Sequence, residues 1–300
     1  MPATVILNPY SNRWEAGRRA PEVESALHRA GIEFEMKITR QPGDGIVLAR
    51  TAVETGNIPL IAAGGDGAIS EVVNGLMEAT PPEALPAGPI GLLPLGTAND
   101  LTDGLGIPRD LNKAAQIINN GYTRSIDLGI VNGRYFDNNS AVGLEPVVTI
   151  ENIRLTWLRG VIRYLAAAVI AILKRPTWNA QLKWDGGEYN GSITLISVGN
   201  SPRTGGVFYM TPNAVLDDGL LDFIFAPALG RLKLLQLLPK TQTGAHIHEP
   251  EIQEYQTKRL SIRTQPPTPI QADGELFAMQ ATEIIYEVLP GALRVFTPGP

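Results

Sequence analysis

The first part of the chain alternates short apolar runs with longer amphipathic runs. The apolar runs have strand length and are bounded by polar or turn-forming residues, which predicts strands at 4–8, 33–39, 59–63 and 90–93. Apolar residues that recur every three or four positions predict helices at 15–30, 45–55, 69–79 and 111–119. Strands that alternate with helices predict an α/β domain, a doubly wound parallel sheet with helices on both faces.

The second part of the chain has a different pattern, in which short β-type runs follow one another with turns between them. These runs predict strands at 125–131, 180–184, 192–198, 221–226, 260–264 and 283–288. Helical patterns interrupt them near 152–173 and 231–241, and Pro-rich pieces at 80–89 and 265–269 predict loops. We therefore expect an N-terminal domain over 1–123 and a C-terminal antiparallel β-rich domain over 124–289, and residues from about 290 to 300 could pack back onto the first.

Composition narrows the class of protein. Of the 300 residues, 44% are hydrophobic and 18% are charged, which is enough apolar material for a sizeable core. The net charge of −5 and the lack of a dense basic cluster argue against a nucleic-acid partner. The absence of cysteine excludes disulfides and thiolate metal sites. The sequence starts without a signal-peptide pattern, and its longest apolar run, 164–173, is far short of the ~20 residues that span a bilayer, so we expect a cytoplasmic protein.

A glycine turn at residues 64–67, Gly-Gly-Asp-Gly, separates a predicted strand from a predicted helix. A strand, a glycine turn and a helix together present backbone N–H groups and a positive helix end to a phosphate. The carboxylate of Asp66 is unusual in such a turn, because it repels phosphate unless a metal ion lies between them or the carboxylate handles a proton. The turn also lacks the Gly-Lys-Ser/Thr ending of the common P-loop. This combination indicates a small set of kinases.

Two further polar turns follow predicted strand ends, at 8–12 and at 94–100. In an open α/β sheet, ligands bind beyond the carboxyl ends of the strands. We therefore expect these two turns and the turn at 64–67 to converge on one edge of the sheet. Taken alone, the turn at 94–100 is equally well explained as a strand-to-helix connection with an Asn or Asp cap.

Three other features are compatible with either a functional or a structural role. The Asp-Gly pair at 273–274 is by itself more typical of a hairpin turn than of a site. The carboxylates of Asp217, Asp218 and Asp222 surround a glycine as in an oxygen-ligand metal loop, and a solvated turn is the alternative. His246 and His248 have no third metal ligand nearby in the sequence, which favours a structural or surface role.

Together, these motifs resemble the diacylglycerol kinase catalytic-domain family, which includes bacterial lipid kinases and the sphingosine and ceramide kinases. The resemblance covers nearly the whole chain, in the family's order and spacing. It is carried by Gly-Gly-Asp-Gly at 64–67, Glu-Val-Val-Asn-Gly-Leu at 71–76, Pro-Leu-Gly-Thr-Ala-Asn-Asp at 94–100, Asp-Gly-Leu-Leu-Asp at 218–222 and Asp-Gly-Glu at 273–275. The first motif is shared with NAD kinases and phosphofructokinases, whereas the third and the last are more specific.

The resemblance implies a fold, an NAD kinase/diacylglycerol kinase-like architecture with its active site in the interdomain cleft, and a set of site residues. It assigns nucleotide binding to Asn8, Pro9, Ser11, Gly64, Gly65, Asp66, Gly67, Glu71, Gly96, Thr97, Asn99 and Asp100. It makes Asp273 the general base, Glu275 its partner at the cleft, and Asp66 and Asp100 the carboxylates near a catalytic Mg²⁺. It also implies a second, structural Mg²⁺ at Asp218 and the backbone carbonyls of Val215 and Leu220.

The implied activity is transfer of the γ-phosphoryl group of ATP to a hydroxyl of a membrane lipid, with diacylglycerol as the first expectation. The enzyme would associate peripherally with the inner face of the membrane and could form a homodimer. An NAD kinase-like enzyme and a non-catalytic nucleotide- or lipid-binding module of the same fold are the alternatives. Two departures bear on nucleotide affinity: Ala68 replaces the Thr that usually follows the first motif, and Asn12 replaces a Gly in the first turn, where Asn tolerates left-handed geometry.

The apolar segment 164–173 is the candidate contact with the lipid. Cationic side chains border it: Arg154, Arg159, Arg163, Lys174 and Arg175. Such a segment could line an acyl pocket or touch anionic headgroups. A buried core helix explains the same pattern equally well.

Overall fold

The computed structural model describes residues 2–12, 14–158, 160–174 and 176–299, which divide into two units. The division lies between Leu128 and Gly129 and again between Val288 and Leu289. It falls within two continuous strands, Thr123–Val131 and Glu275–Phe296, whereas the sequence placed it between residues 123 and 124. Arg159 and Arg175, named above as neighbours of the apolar segment, lie outside the described residues.

The elements of the first unit alternate between strand and helix. In chain order they are β1 (Ala3–Leu7), α1 (Glu15–Arg18), α2 (Ala20–Arg29), β2 (Phe34–Ile38), α3 (Asp44–Glu54), β3 (Leu60–Gly64), α4 (Asp66–Ala79), β4 (Ala87–Pro94), α5 (Asp100–Gly104), α6 (Leu111–Asn120) and β5 (Thr123–Val131). A short 3₁₀ turn, Pro82–Ala84, precedes β4.

The elements of the second unit are mostly strands. They are β6 (Arg134–Phe136), β7 (Asn139–Gly143), α7 (Leu144–Arg154), α8 (Gly160–Lys174), β8 (Trp178–Trp184), β9 (Gly187–Gly199), β10 (Leu221–Pro227), α9 (Arg231–Leu237), β11 (Gln253–Thr257), β12 (Arg259–Ala272) and β13 (Glu275–Phe296). Two 3₁₀ turns, Leu238–Gln242 and Ala245–His248, follow α9.

A parallel sheet forms the centre of the first unit, with strand order β2-β1-β3-β4 and the end of β13 beside β4. Every residue of β3 is buried. Because successive side chains of a strand point to opposite faces, both faces of this strand must be covered. Helix α3 packs on α4, and α2 packs on α6. The predicted doubly wound α/β architecture is confirmed.

Short-range sequence features explain where three of the helices in the first unit begin or end. The predicted helix at 15–30 forms two helices, because α1 ends at Arg18 and α2 starts at Ala20. Pro21 lies in the first turn of α2, where the N–H group that proline lacks would have no helical partner. Helix α4 starts at Asp66, three residues before the apolar periodicity begins, since the glycine turn itself forms the first helical turn. Helix α5 was not predicted, because five residues are too few to show a period.

Antiparallel pairing dominates the second unit, which confirms the predicted β-rich domain. The strand order is β11-β10-β9-β7-β12-β13, and β8 pairs with both β9 and β12. The buried core packed against these strands is rich in aromatic and β-branched residues, among them Phe136, Trp178, Phe223 and Tyr286. Aromatic side chains at alternate strand positions supply most of the buried area of such a core.

Two predictions about the second unit were wrong in detail. The Pro-rich piece at 265–269 lies inside β12, not in a loop, and the pairing of β12 with β13 shifts register between Arg263 and Thr268, where a proline need not donate a ladder hydrogen bond. The helical region near 152–173 forms two helices, α7 and α8, with a break between them. Among the described residues, no helix is both long enough and apolar enough to cross a bilayer.

Candidate functional site

The three predicted turns of the first unit meet through side-chain hydrogen bonds. The backbone N–H of Gly65 donates to Ser11 Oγ at 3.2 Å, and the Thr97 hydroxyl donates to Asn12 Oδ1 at 3.0 Å. Asn12 has a left-handed backbone, with φ of 49°, so the expectation that Asn tolerates this turn is confirmed. The turns after β1, β3 and β4 are therefore brought together by the structure.

Two glycines allow the turns after β3 and β4 to approach each other closely. A Cβ atom added to Gly96 would lie 2.4 Å from Gly65 Cα, and one added to Gly65 would lie 3.0 Å from Gly96 Cα. Both contacts are with backbone, which cannot swing away as a long side chain could. The two positions therefore require glycine.

The carboxylate of Asp66 braces the second of these turns. Its Oδ2 accepts from the backbone N–H of Asn99 at 2.8 Å, and its Oδ1 accepts from that of Asp100 at 2.6 Å. Asn99 is left-handed, with φ of 56°, and its side chain bonds to both the N–H and the C=O of Gly96 at 3.0 Å. Asp66 thus fixes the 96–100 turn from the first residue of α4, where the positive helix end favours an anion.

The acidic pair Asp66 and Asp100 fits a magnesium ion that arrives with a nucleotide. Asp100 is buried and Asp66 is half-buried. In kinases Mg²⁺ is held by one or two carboxylates together with substrate phosphates and water. Among the residues that the structure describes, no group of three or more His, Cys, Asp or Glu side chains is arranged to hold a metal ion.

Glu71, predicted to bind nucleotide, has a different set of contacts. Its carboxylate is buried and accepts from the backbone N–H groups of Gly43 at 2.7 Å and Gly45 at 2.9 Å. These contacts satisfy the start of α3. Asn8 likewise orders its own turn, through a bond from the N–H of Tyr10 to Asn8 Oδ1 at 2.9 Å. Nucleotide binding by either residue stays a prediction.

The remaining predicted residues of this group lie at the turns themselves. Pro9 and Gly67 are half-buried, and Thr97 is exposed. Ala68, the departure from the family pattern, is buried and lies 2.4 Å from the position that a Cβ on Gly64 would occupy. Its methyl group thus packs beneath the glycine turn.

Asp273 in the second unit lies in the hairpin turn that the sequence allowed, and its catalytic role stays a prediction. Asp273 and Gly274 form the hairpin turn between β12 and β13, with φ of 48° and 81°. The side chain of Asp273 is only 9% exposed, and it accepts from the backbone N–H groups of Asp137 at 3.2 Å, Asn138 at 3.0 Å and Asn139 at 3.2 Å. The turn therefore holds a fixed, inward-facing carboxylate.

Polar contacts hold this hairpin in place. Gln271 Oε1 accepts from the N–H of Gly274 at 2.8 Å, and Gln271 Nε2 donates to Asn139 Oδ1 at 2.7 Å. Glu275 forms an ion pair with Arg134, whose Nη2 lies 3.2 Å from Oε2. Sequence reasoning did not find Gln271, Asn139 or Arg134, since more than 130 positions separate Asn139 and Arg134 from the hairpin residues that they contact.

The loop before β10, predicted to bind a structural Mg²⁺, carries an excess of negative charge. Asp218 is exposed, and its Oδ1 accepts from the N–H of Leu220 at 3.0 Å. Burial raises the pKa of the Asp222 carboxyl to about 6, and the charges of Asp218 and Glu254 add to the rise. Val215, whose carbonyl was assigned to the ion, is 45% exposed. Carboxylates that repel one another beside accessible carbonyls are a donor set that fits a hard cation.

A largely apolar pocket lies within the second unit. Its apolar lining includes Val148, Tyr164, Ala168, Ile172, Phe208 and Ile224. It also reaches Gln271 and Gly274, which flank Asp273 in the hairpin. The apolar segment 164–173 therefore lines a pocket on one of its faces, as one of the alternatives for it predicted.

Two of the side chains that line this pocket are titratable. Glu145 Oε1 and His246 Nδ1 are buried and have no hydrogen-bond partner among the described residues. Burial raises the pKa of the Glu145 carboxyl to about 7, against the opposing effect of a hydrogen bond from the Ser197 hydroxyl. Burial lowers the pKa of His246, which its bond to the Met210 carbonyl at 3.2 Å opposes. The pocket thus offers hydrogen-bonding groups, one of which changes its charge near neutral pH.

Glu145 is expected to make the folded state sensitive to pH. Its carboxyl has a pKa of about 7 in the folded chain against an ordinary value of 4.5, so the folded state holds the extra proton between these values. The free energy of unfolding should therefore fall as pH rises from 4.5 to 7, by at most about 3 kcal/mol, and Glu145→Gln should abolish this fall. Urea unfolding of both proteins at pH 5 and pH 8 measures the effect.

The exposed Glu24 of α2 provides the control for this prediction. Glu24→Gln should differ from the parent chain by the same small amount at both pH values. Equal differences for Glu145→Gln at pH 5 and pH 8 would show that its carboxyl titrates normally.

Comparisons with known proteins agree with this architecture. The diacylglycerol kinase catalytic domain matches residues 2–131, and the YegS C-terminal NAD kinase beta sandwich-like domain matches residues 139–297. The chain is 30% identical to a diacylglycerol kinase of Staphylococcus carnosus over 298 residues, covering 99% of this chain and 95% of the relative. It is 32% identical to a diacylglycerol kinase of Bacillus subtilis over 286 residues, covering 94% and 92%.

Solved structures show the same fold. A crystal structure of a diacylglycerol kinase from Bacillus anthracis matches with a TM-score of 0.79 at 24% identity, covering 99% of this chain and 97% of that one. Yeast NADH kinase matches with a TM-score of 0.53 at 12% identity, covering 100% and 84%. The fold is therefore common to lipid and NADH kinases, whereas the sequence likeness is to the lipid enzymes. The chain belongs to the diacylglycerol kinase family and is a diacylglycerol kinase-like lipid kinase.

Proposed function

We propose that this lipid kinase transfers the γ-phosphoryl group of ATP to the free hydroxyl of a diacylglycerol. One observation carries the choice of acceptor: the apolar pocket of the second unit extends to Gln271 and Gly274, on either side of Asp273. A lipid with its acyl chains in this pocket would carry its polar end toward the Asp273 carboxylate, a group that can take up a hydroxyl proton.

The lining of the pocket favours a neutral lipid. Neither Lys nor Arg lines it among the residues that the structure describes, so a phosphate headgroup would enter without a counter-charge. The buried Glu145 and His246 atoms that lack partners can instead bond to a hydroxyl or an ester oxygen. These features support diacylglycerol over phosphatidylglycerol as the acceptor.

In the proposed reaction, a carboxylate oxygen of Asp273 accepts the proton of the lipid hydroxyl while the hydroxyl oxygen forms its bond to the γ-phosphorus. The bond between that phosphorus and the β,γ-bridging oxygen breaks, and ADP leaves. A positioned general base contributes about 10²–10⁴-fold to such a step. Three backbone N–H donors fix the orientation of this carboxylate, which supports its assignment.

The turns of the first unit would hold the triphosphate. The backbone N–H groups of the first turn of α4, which starts at Asp66, can donate to phosphate oxygens, and Thr97 of the neighbouring turn is exposed. Asp66 and Asp100 would hold the Mg²⁺ that neutralises phosphate charge when bound. A second ion at Asp218 would be structural and would offset the negative charge of this loop.

The test is a panel of acceptors with labelled ATP. The purified chain is incubated with mixed micelles that contain diacylglycerol, phosphatidylglycerol or sphingosine, and separately with NAD, and labelled products are resolved by thin-layer separation. We expect phosphatidic acid, the product from diacylglycerol, to form fastest. Faster labelling of another lipid would overturn the choice of acceptor, labelling of NAD would favour the NAD kinase alternative, and labelling of none would favour a binding module.

A further inference from the structure

Helix α8 presents apolar side chains on two different sides. Its pocket face carries Tyr164, Ala168 and Ile172, at intervals of four. The other side carries exposed residues at intervals of seven and four: Ile162 (68% exposed), Val169 (36%) and Leu173 (52%). Since residues seven and eleven apart return to the same side of a helix, these three form one stripe. A helix that packs on one side only is normally polar on the other.

The chain just before α8 extends this apolar surface. Ile153, near the end of α7, is 58% exposed, and Trp157, in the connection between the helices, is 76% exposed. We define the α8 membrane face as Ile153, Trp157, Ile162, Val169 and Leu173. Clustered exposed apolar side chains of this size mark interaction surfaces, whereas single ones are ordinary.

The charges around the α8 membrane face are mainly positive. Among the described residues, four cations adjoin it in sequence or by a hydrogen bond to its backbone: Arg154, Arg163, Lys174 and Arg231. Arg163 Nη2 lies 3.4 Å from the carbonyl of Ile153, and Arg231 Nε lies 2.9 Å from that of Leu173. The carboxylate of Glu151 pairs with Arg154 at 2.9 Å and Lys174 at 2.6 Å. These four cations outnumber the one acid, and the resulting net positive charge complements an anionic surface.

The length of α8 decides how it could contact a bilayer. With 15 residues it falls short of the ~20 needed to span the hydrocarbon core. An apolar stripe with flanking cations and a tryptophan is typical of a helix that lies along the interface. An anionic bilayer therefore fits this surface better than a protein partner, whose interface would not need the surrounding positive charge.

We infer that the α8 membrane face rests on the anionic phospholipid surface of a bilayer, so that the same helix contacts the membrane on one side and the acceptor pocket on the other. The inference rests on the proposed lipid kinase function and names the surface through which the acceptor arrives. A diacylglycerol that leaves the bilayer along α8 would stay in an apolar environment until it enters the pocket, which avoids the cost of crossing water.

Vesicle sedimentation tests the inference on the full chain. The probe is a vesicle of equal parts phosphatidylcholine and phosphatidylglycerol, compared with phosphatidylcholine alone. The variant carries Trp157→Ser, Ile162→Ser and Leu173→Ser. We expect the parent chain to prefer the anionic vesicle and the variant to bind it at least about tenfold more weakly, since three exposed apolar contacts are lost together. Unchanged binding by the variant would overturn the inference.

A control variant separates this face from general surface hydrophobicity. Ile38→Ser, Val47→Ser and Ile58→Ser remove three aliphatic side chains of the first unit that are 52%, 57% and 48% exposed. This variant should bind vesicles like the parent chain, and an equal loss of binding would overturn the inference. If gel filtration shows a dimer that only the α8 variant converts to a monomer, the face covers a second copy of the chain and the inference fails.

Activity distinguishes failure of this inference from failure of the proposed function. The α8 variant should phosphorylate a water-soluble short-chain diacylglycerol at the parent rate but lose about tenfold in rate on vesicles. Equal loss on both substrates would mean that the variant damages the pocket, and overturns the docking role. If the parent chain phosphorylates no lipid yet binds vesicles through this face, the proposed function fails and the surface assignment stands.

Discussion

Replacing Asp273 with asparagine is expected to reduce lipid phosphorylation about 10²–10⁴-fold while nucleotide binding stays near normal. Asparagine has nearly the shape of aspartate and accepts the left-handed turn, but it cannot take up the hydroxyl proton. Asparagine also has an NH₂ group in place of one carboxylate oxygen. This donor would face backbone N–H groups, which costs about 1–3 kcal/mol in stability. The rate with diacylglycerol, the affinity for ADP and the melting temperature together measure these effects.

A matched control for this change lies in another Asp-Gly turn of the same unit. Asp185 precedes Gly186 between β8 and β9, and its carboxylate also accepts backbone N–H bonds, from Lys258 at 2.7 Å among others. Asp185→Asn should lower stability by a comparable amount and leave turnover intact. If both variants lose activity in proportion to stability, the carboxylate of Asp273 is structural and the general base lies elsewhere.

The second large effect is expected from Asp66→Asn, which should weaken nucleotide binding and lower activity with it. Both oxygens of Asp66 accept backbone N–H bonds from the 96–100 turn, so an amide must place its NH₂ group against one of these donors. The unsatisfied contact costs about 1–3 kcal/mol, or roughly 5- to 150-fold in an equilibrium constant. The affinity for ATP in the presence and absence of Mg²⁺, measured by calorimetry, reports the loss directly.

Asp110 is the control for Asp66. It caps α6 in the same unit and accepts from the backbone N–H groups of Asn112 at 2.9 Å and Lys113 at 3.1 Å. Asp110→Asn should therefore weaken a helix start without touching the three turns. Retention of ATP affinity by Asp66→Asn, or an equal loss in Asp110→Asn, would contradict the role assigned to Asp66.

The fold of the first unit could be predicted from sequence because each element carries its own signal. The buried strand β3 is apolar throughout, and α4 shows a regular apolar period. The second unit was predicted less completely. Strand β7, Asn139–Gly143, is buried but built from small and polar residues, so no run of large apolar side chains marks it. The long β12 contains prolines that a sequence pattern assigns to a loop.

In the candidate site, contiguous motifs could likewise be predicted from the sequence, whereas contacts between distant residues could not. The glycine turns and the Asp-Gly-Glu hairpin are contiguous motifs, so they could be named from sequence. The backbone donors at 137–139 that hold Asp273 contribute through their N–H groups, which every residue but proline has, and no side-chain pattern identifies them. Glu145 and His246 share a pocket only because the sheets and helices bring them there. The predicted meeting of Asp66 and Asp273 in one cleft stays a prediction.

The left-handed backbone at Asp273 restricts which acids this position can carry. With φ of 48°, the turn suits Gly, Asn and Asp far better than residues with longer or branched side chains. Of those three, only aspartate can ionise, so glutamate is not an equivalent replacement even though its chemistry is the same. A homologous chain with Asn-Gly or Gly-Gly at this turn would keep the left-handed backbone and lose the carboxylate that we propose as the proton acceptor. A single substitution of this kind could therefore convert a protein of this fold into a lipid-binding protein without turnover.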